Sequence, residues 1–289
     1  MHQCRSNTSD ASRMSRSELR IGVITDIHAG PDHGSQLGSY AFVLLEGFMR
    51  EMEEFGPDLV VDLGDRVNNV GPVEDALVLR ELVEKTRSLR HAQRRVSHVR
   101  YVPGNHDLVH LSLEDNEEIT LQSQRNRLEV WQGWPVLFLN TEAAEPDVEG
   151  LLTEVPHTSR SVLVVFSHRP LVPVPLARNP LFPPGEPQNP PWGPALVDEL
   201  VELGWTPFCV NGHLHWNHVL VGRASTHITV GSLVEAWESA GRPSGSFAEV
   251  VVTPVGREVA IEVHVMGRLA CHYRFEVREE VRPGADQGA

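Results

Sequence analysis

The stretch Y-V-P-G-N-H-D, residues 101–107, carries an apolar strand end into a polar loop. A Pro-Gly pair breaks the strand, and three side chains of different chemistry follow. Asn105 offers an amide oxygen, His106 a nitrogen that can carry a proton near neutral pH, and Asp107 a carboxylate that can hold that imidazole in one orientation. Because loops on a rigid scaffold often carry chemistry, this corner is a candidate site, with a solvated turn as the alternative.

The composition is that of a globular protein rather than of one that wraps nucleic acid. The chain has 289 residues, of which 40% are hydrophobic and 22% charged, and its net charge is −14. This length allows one or two domains and a sizeable core. The negative charge disfavours binding along a nucleic acid backbone, although bound metal ions would still attract a small phosphorylated substrate.

The spacing of the cysteines and the length of the apolar runs indicate the cellular compartment of the protein. Cys4, Cys209 and Cys271 are widely spaced and form no CxxC pair, which favours a reducing compartment and predicts a cytoplasmic protein. No apolar run approaches the roughly 18 residues that span a membrane, and the polar lead-in at 1–18 lacks the apolar core of a signal peptide. The start codon, at residue 1 or 14, stays open, and the tail at 279–289 is also predicted to lie outside the domain.

Apolar segments and helical patterns alternate through the first hundred residues. Their order is strand, helix, strand, helix, strand, at 19–25, 38–55, 58–63, 73–90 and 98–102. This alternation predicts a parallel sheet with right-handed crossovers, and such sheets bind ligands beyond the carboxyl ends of their strands. The polar residues that follow these three strands are Asp26, His28, Asp65, Asn105 and His106.

The spacing of these residues suggests how they meet. In an extended segment, Asp26 and His28 would point to the same side, and a carboxylate with an imidazole suits a divalent transition metal. A loop-capping aspartate beside a surface histidine is the alternative. Gly64 permits a sharp turn that aims Asp65 at the sheet edge, whereas Asp62 lies within its strand and is predicted to be structural.

The second half continues this pattern and then changes. Strands are predicted at 135–141, 161–167 and 206–210, with helices at 147–154 and 195–203. Extended His213-Leu214-His215 would place two imidazoles on one side of the chain. From residue 219 to 277, alternating segments separated by glycines predict an antiparallel meander without helices.

The segment 171–194 contains nine of the 21 prolines. It cannot form a regular helix or strand, and a loop of this length is commonly functional. A wall or lid beside the site and an arm at a contact between subunits are equal alternatives, and an exposed edge of the terminal meander could also pair two copies into a homo-oligomer. Since there is no repeat or clear linker, we predict a single domain over 19–278.

Five motifs in this order resemble the calcineurin-like metallophosphoesterase superfamily over about residues 19–232. Among its branches, the chain looks most like the cyclic-nucleotide and glycerophosphodiester phosphodiesterases. The resemblance implies an α/β fold in which two packed mixed sheets are flanked by helices. The motifs are Asp26-x-His28, Gly64-Asp65, Gly104-Asn105-His106-Asp107, His168 and Gly212-His213-x-His215.

The resemblance also implies two divalent metal ions. Asp65 would bridge them, and imidazole and carboxylate ligands without cysteine suit Mn, Fe or Zn. One ion would be held by Asp26, His28, Asp65 and His215, and the other by Asp65, Asn105, His168 and His213.

The implied reaction is hydrolysis of a small phosphodiester or phosphomonoester. A hydroxide between the two metals would attack phosphorus, while His106 would steady the phosphoryl group and protonate the leaving alkoxide. Asp107 would orient His106. Arg66 and Arg169 are candidate substrate-binding residues, since an arginine can hold a phosphate bidentately; for Arg169, an ordinary ion pair is the favoured alternative.

Other functions on the same fold stay open. Arg66-Val67-Asn68-Asn69 and Asp107 depart from the pattern of serine/threonine protein phosphatases, and Ser167-His168-Arg169-Pro170 lacks the His-Pro-Pro run of many relatives. A nuclease or nucleotide pyrophosphatase is the alternative enzyme, and the charge of −14 counts against a nuclease. A non-catalytic binding scaffold is the alternative of another class, and the complete ligand set counts against it.

Overall fold

The computed structural model describes residues 18–88, 90–91, 94–95, 98–153, 160–183 and 185–278. The predicted tail at 279–289, and the predicted lead-in apart from residue 18, lie outside the described residues. In chain order the helices and strands are β1 Leu19–Ile24, α1 Ala41–Phe55, β2 Leu59–Asp62, α2 Pro72–Arg87, β3 Arg90–His91, β4 Arg94–Arg95, β5 Val99–Tyr101, α3 Leu113–Thr120, β6 Arg127–Trp131, β7 Trp134–Leu139, α4 Val148–Thr153, β8 Val162–Ser167, α5 Gly193–Glu202, β9 Thr206–Asn211, β10 His218–Val221, β11 Thr226–Thr229, β12 Phe247–Val255, β13 Glu258–Met266 and β14 Cys271–Arg278.

The first sheet joins the beginning of the domain to its end. Its strand order is β14-β13-β12-β1-β2-β5. β1, β2 and β5 are parallel, as the alternation with α1 and α2 predicted, because each helix returns the chain to the end of the sheet at which the preceding strand began. β12 pairs with β1 in antiparallel register, and β13 and β14 extend that side.

The second sheet has the order β10-β11-β9-β8-β7-β6. Its four central strands are parallel, and both edge strands are antiparallel to their neighbours. The prediction of one antiparallel meander over 219–277 is therefore wrong. β10 and β11 belong to this sheet, whereas β12 to β14 cross to the other, because a period-2 pattern fixes which face is buried but not which strand is the partner.

The two sheets pack face to face, and their inner sides form the central core. That core consists of branched and aromatic side chains from both sheets, among them Val61, Phe166 and Ile261. α1 and α2 cover the outer face of the first sheet through a second apolar cluster, and α5 covers the second sheet through a third. The predicted sandwich of two mixed sheets flanked by helices is confirmed.

Some local predictions change at the boundaries. The second helix ends at Arg87 rather than at residue 90, and β3 and β4 follow as a short antiparallel pair. The unassigned region 108–133 contains α3 and β6, and α3 begins with a capping box between Ser112 and Asp115. The described part of the proline-rich segment has no helix or strand before α5 begins at Gly193.

Among the described residues, none of the helices combines the length and the apolar composition that crossing a membrane requires. Cys209 is buried and Cys271 is half-buried, and neither forms a disulfide. The assignment of residues 19–278 to a single domain stays a prediction.

Candidate metal centre

Side chains from both sheets converge where β1, β2, β5, β8 and β9 end. Possible ligand atoms of Asp26, His28, Asp65 and His215 lie within 4.8 Å of one another. Those of Asp65, His168 and His213 do so as well, and all of these residues are buried. We call them the first and the second donor group; Asp65 belongs to both.

Asp65 lies between the two donor groups with one oxygen turned toward both. Its Oδ2 is 3.2 Å from His168 Nε2 and 3.8 Å from His28 Nε2. Its Oδ1 accepts a hydrogen bond of 2.8 Å from the backbone N–H of His106. This bond fixes the carboxylate, so that Oδ2 is the oxygen available to both groups.

Asn105 adds an oxygen to the second donor group. Its Oδ1 lies 3.3 Å from His168 Nε2. His168 Nδ1 is 3.0 Å from the carbonyl oxygen of Leu63, and because a carbonyl only accepts, Nδ1 carries the proton. Nε2 is therefore the nitrogen of His168 that faces Asp65 and Asn105.

Glu235 faces Nδ1 of His215 in the first donor group, as the Leu63 carbonyl faces Nδ1 of His168. The sequence motifs did not identify Glu235. His215 Nδ1 lies 3.1 Å from Glu235 Oε2, and the other nitrogen, Nε2, is 3.3 Å from Asp26 Oδ1. The Glu235 side chain is buried and also accepts the backbone N–H of Ala236 at 2.9 Å. The signal available in the sequence was a single carboxylate in the apolar run after residue 230.

The backbone at the site is left-handed, not extended. Asp26, His28, His213 and His215 have φ angles of 49°, 42°, 68° and 57°, in a region that costs energy for residues with a side chain. Hydrogen bonds of 2.9 Å from the N–H groups of Asp26 and His28 to the loop after β2 hold this shape. The expectation of extended pairs is therefore wrong: Asp26 and His28 do meet, but His213 and His215 enter different donor groups.

Two glycines allow the loops to approach this closely. Gly64 has a φ of +100°, and a Cβ there would lie 2.3 Å from the backbone nitrogen of Gly104. A Cβ on Gly212 would lie 1.9 Å from the hydroxyl oxygen of Thr25, which donates a hydrogen bond to Asp26. Any other residue at either position would separate the loops that carry the donors.

Asp107 organises the backbone beneath the site instead of contacting His106. Its carboxylate accepts hydrogen bonds from the backbone N–H groups of Asp65, Arg66 and Gly104 and from the Arg66 guanidinium, all at 2.9–3.0 Å. The prediction that Asp107 orients His106 is therefore wrong. The carboxylate reaches back toward the loop after β2, because that loop presents several N–H groups to it.

Arg66 is buried and cannot bind a substrate from this position. Besides Asp107, it contacts Asp62 at 3.2 Å and donates to the carbonyl of Val102 at 2.8 Å. The expectation that Arg66 binds substrate is wrong, because its charge is neutralised inside the protein. Asp62 is structural, as predicted, and the carboxylates of Asp62 and Asp107 together hold Arg66.

Asn69 is the side chain that meets His106. Asn69 Nδ2 lies 2.5 Å from His106 Nδ1, and the His106 ring packs edge-on against His28 with centroids 4.8 Å apart. Asn69 also has a left-handed φ, of 54°. Nothing in the sequence motif identified Asn69, because its contact depends on how the loop after β2 folds.

The proline-rich segment covers the second donor group. The Phe182 ring lies 5.1 Å from that of His213, and Gln188 Oε1 lies 3.1 Å from His213 Nε2. Arg169 Nη1 reaches the same nitrogen at 3.0 Å, while its Nε pairs with Glu142 at 2.6 Å. Arg169 is thus ion-paired, as the favoured alternative predicted, and it also borders the site.

The carboxylates of the centre change the pKa values of the histidines beside them. Burial disfavours charge on His168, but the adjacent Asp65 carboxylate prevails and raises the pKa of His168 to about 9. Burial opposes charge on His215 too, yet Asp26 and Glu235 raise its pKa to about 10. Burial, followed by the nearby His215, lowers the pKa of His28 to about 3. The carboxylates of the centre therefore favour positive charge beside them, which bound metal ions would supply.

The donor set fits divalent transition metals. Imidazoles and carboxylates are suitable ligands, and in the first donor group Asp26 Oδ1 faces two imidazole nitrogens, His215 Nε2 at 3.3 Å and His28 Nε2 at 3.9 Å. The buried Asp/His clusters are therefore consistent with a dimetal site.

Comparisons with known proteins agree with this fold. A dimetal phosphatase from Danio rerio superposes with a TM-score of 0.64 at 13% identity, over 91% of this chain and 99% of that one. GAP50, described as the anchor in the inner membrane complex of Plasmodium, superposes with a TM-score of 0.56 at 11% identity, over 92% and 90%. At such identities the likeness shows the fold alone, and no curated protein matches the chain.

The family follows from the sequence match. The model of the calcineurin-like phosphoesterases matches residues 19–217, the region that supplies every member of both donor groups. The chain therefore belongs to the calcineurin-like phosphoesterase family.

Proposed function

We propose that the protein is a metal-dependent phosphoester hydrolase acting on a small phosphodiester or phosphomonoester. The observation that carries the proposal is the pair of buried donor groups that share Asp65, with His106 at their edge. We include in this proposal the predicted likeness to cyclic-nucleotide and glycerophosphodiester phosphodiesterases, which favours a phosphodiester as the substrate.

The two donor groups would each hold one divalent ion, either Mn, Fe or Zn. Asp26, His28 and His215 would hold the first, His168, His213 and Asn105 the second, and Asp65 both. When bound, such a pair of ions activates the phosphate and an attacking water as Lewis acids. Leu63 and Glu235 support this assignment, because they hold a proton on Nδ1 of His168 and His215 and so make Nε2 the nitrogen that would bind a metal.

His106 would donate a proton to the leaving group. Asn69 Nδ2 faces His106 Nδ1, and if the amide donates to that nitrogen, the ring proton lies on Nε2. The Nε2–H group is then the one that His106 offers to a leaving alkoxide. Asn69 thereby takes the orienting role that the sequence had suggested for Asp107.

Replacing Asn69 with glycine should slow hydrolysis roughly fivefold, since one hydrogen bond contributes about 1 kcal/mol. Glycine tolerates the left-handed backbone at this position, so the change removes the amide without adding strain. Steady-state kinetics would be compared with Asn68→Gly, because Asn68 donates to the carbonyl of Pro31 instead. Equal losses in the two variants would contradict the role of Asn69.

Replacing Glu235 with glutamine should weaken binding of one metal ion about 10- to 100-fold, the usual cost of losing a partner that orients a ligand. His215 would lose the carboxylate that fixes its ring and its protonated nitrogen. The affinity is measured by competition with a chelating dye, and Glu238→Gln, an exposed neighbour, is the control. Unchanged metal affinity in the Glu235 variant would show that this carboxylate does not support metal binding.

Arg169 is proposed to contact the substrate beside the second donor group. Glu142 holds its guanidinium through two nitrogens, at 2.6 and 3.3 Å, which keeps the remaining N–H groups directed toward His213. A phosphate oxygen entering there would find the Arg169 guanidinium within reach. The proline-rich segment would thus form one wall of the substrate pocket.

The proposal is tested by hydrolysis of bis-p-nitrophenyl and mono-p-nitrophenyl phosphate after loading with Mn²⁺. We expect turnover that a chelator abolishes, and the ratio of the two rates ranks diester against monoester. Metal uptake without hydrolysis of either substrate, nucleotide pyrophosphates or DNA would favour a binding scaffold. Absence of metal uptake would overturn the proposal.

A further inference from the structure

A separate set of metal-binding side chains lies on the terminal strands. Possible ligand atoms of Glu262, His264 and His272 lie within 4.8 Å of one another. They come from β13 and β14, which contribute no residue to either donor group of the centre.

The register of the two strands brings the histidines together. His264 is directly opposite His272, and their rings stack with centroids 4.1 Å apart at an angle of 19°. Residues that face each other in this way lie on the same side of the sheet. Glu262 is two positions before His264 and shares that side, while Val263 and Val265 point into the core.

Arg274 sets the orientation of the Glu262 carboxylate. It is directly opposite Glu262 on β14, and its Nη1 lies 2.8 Å from Glu262 Oε1. The second oxygen, Oε2, lies 3.8 Å from His264 Nε2. One oxygen is thus engaged by the arginine, and the other is turned toward the histidine pair, as in sites where a neighbouring residue orients a ligand.

The cluster is open to solvent and borders a depression in the sheet. The side chains of His264 and Glu262 are 41% and 33% exposed, and His272 is exposed. An adjoining cleft of about 460 Å³ is lined by Glu249, Glu262 and His264. An ion bound here would therefore complete its coordination with water.

We propose that Glu262, His264 and His272 form a further site for Zn²⁺, Ni²⁺ or Cu²⁺ on the surface of the β13–β14 hairpin. Two imidazoles and one carboxylate suit these ions, whereas Mg²⁺ and Ca²⁺ prefer oxygen ligands. Three protein ligands with an open fourth position are an established zinc arrangement. The proposal stands independently of phosphoester hydrolysis, because the two sets of ligands share no residue.

The test is the number of Zn²⁺ ions bound per chain, measured by equilibrium dialysis and elemental analysis on the full, tag-free protein. His272→Ala and His264→Ala should each lose one bound ion relative to the wild type at a concentration that saturates the wild type. His33→Ala is the control, because His33 is also exposed but lies outside the cluster. Circular dichroism confirms that the variants are folded.

The difference between the variants decides the outcome. A loss of one ion in both cluster variants, with none in the control, supports the site whether the wild type binds three ions or only one. If the wild type binds a single zinc ion and both cluster variants lose it, the result counts against the proposed hydrolase and not against this site. Equal zinc content in the wild type and both cluster variants, or an equal loss in His33→Ala, overturns the site.

Discussion

Replacing His106 with alanine should reduce hydrolysis by about 10²–10⁴-fold, the usual contribution of a positioned acid or base, without releasing metal. The imidazole packs against His28 but belongs to neither donor group. The contact that His106 makes with Asp65 comes from its backbone N–H, which alanine retains. The substitution therefore removes the proton donor and leaves the carboxylate of Asp65 in position.

Substrates with different leaving groups distinguish a chemical role of His106 from a structural one. Alkyl esters, whose alkoxide needs a proton, should lose more activity than p-nitrophenyl esters, whose phenolate leaves without one. kcat/KM for both kinds of ester and metal content by elemental analysis would be measured beside His110→Ala, since His110 pairs with Asp75 instead. Equal losses for alkyl and aryl esters, or loss of metal, would contradict the assignment of His106 as the acid.

Replacing Asp107 with alanine should lower the free energy of unfolding by about 3–5 kcal/mol, the cost of breaking a buried ion pair. Asp107 accepts hydrogen bonds from the backbone of two loops and from the buried Arg66 guanidinium. Without it, Asp62 is the charged partner that Arg66 keeps among the described residues, and three backbone N–H groups lose their acceptor. The loops that position Asp65 and Asn105 would then separate.

Thermal unfolding measures this loss, which should lower Tm by roughly 6–20 °C in a domain of this size. Glu114→Ala is the control, because Glu114 forms an exposed ion pair with Arg125 and such pairs contribute at most about 1 kcal/mol. A Tm in the Asp107 variant that matches the control would show that the carboxylate does not hold the loops together.

Much of the fold and most of the candidate site could be predicted without coordinates. Alternating strands and helices require parallel strands, and parallel strands bring their carboxyl ends to one edge. Asp26, Asp65 and Asn105 follow such ends, so their meeting is a consequence of strand order alone. The recurrence of His168 and of His213-x-His215 after later strands extended the same reasoning to the second sheet.

The order of strands and helices thus predicts the layered architecture and the candidate donors, whereas the arrangement of these donors depends on how the loops fold. The left-handed backbone at His213 and His215 sends the two rings to different donor groups, although spacing alone suggested one side. Asn69 and Glu235 acquire their contacts to His106 and His215 only when distant loops meet. Spacing reports on a regular backbone, whereas a site built from irregular loops depends on hydrogen bonds between segments far apart in the chain.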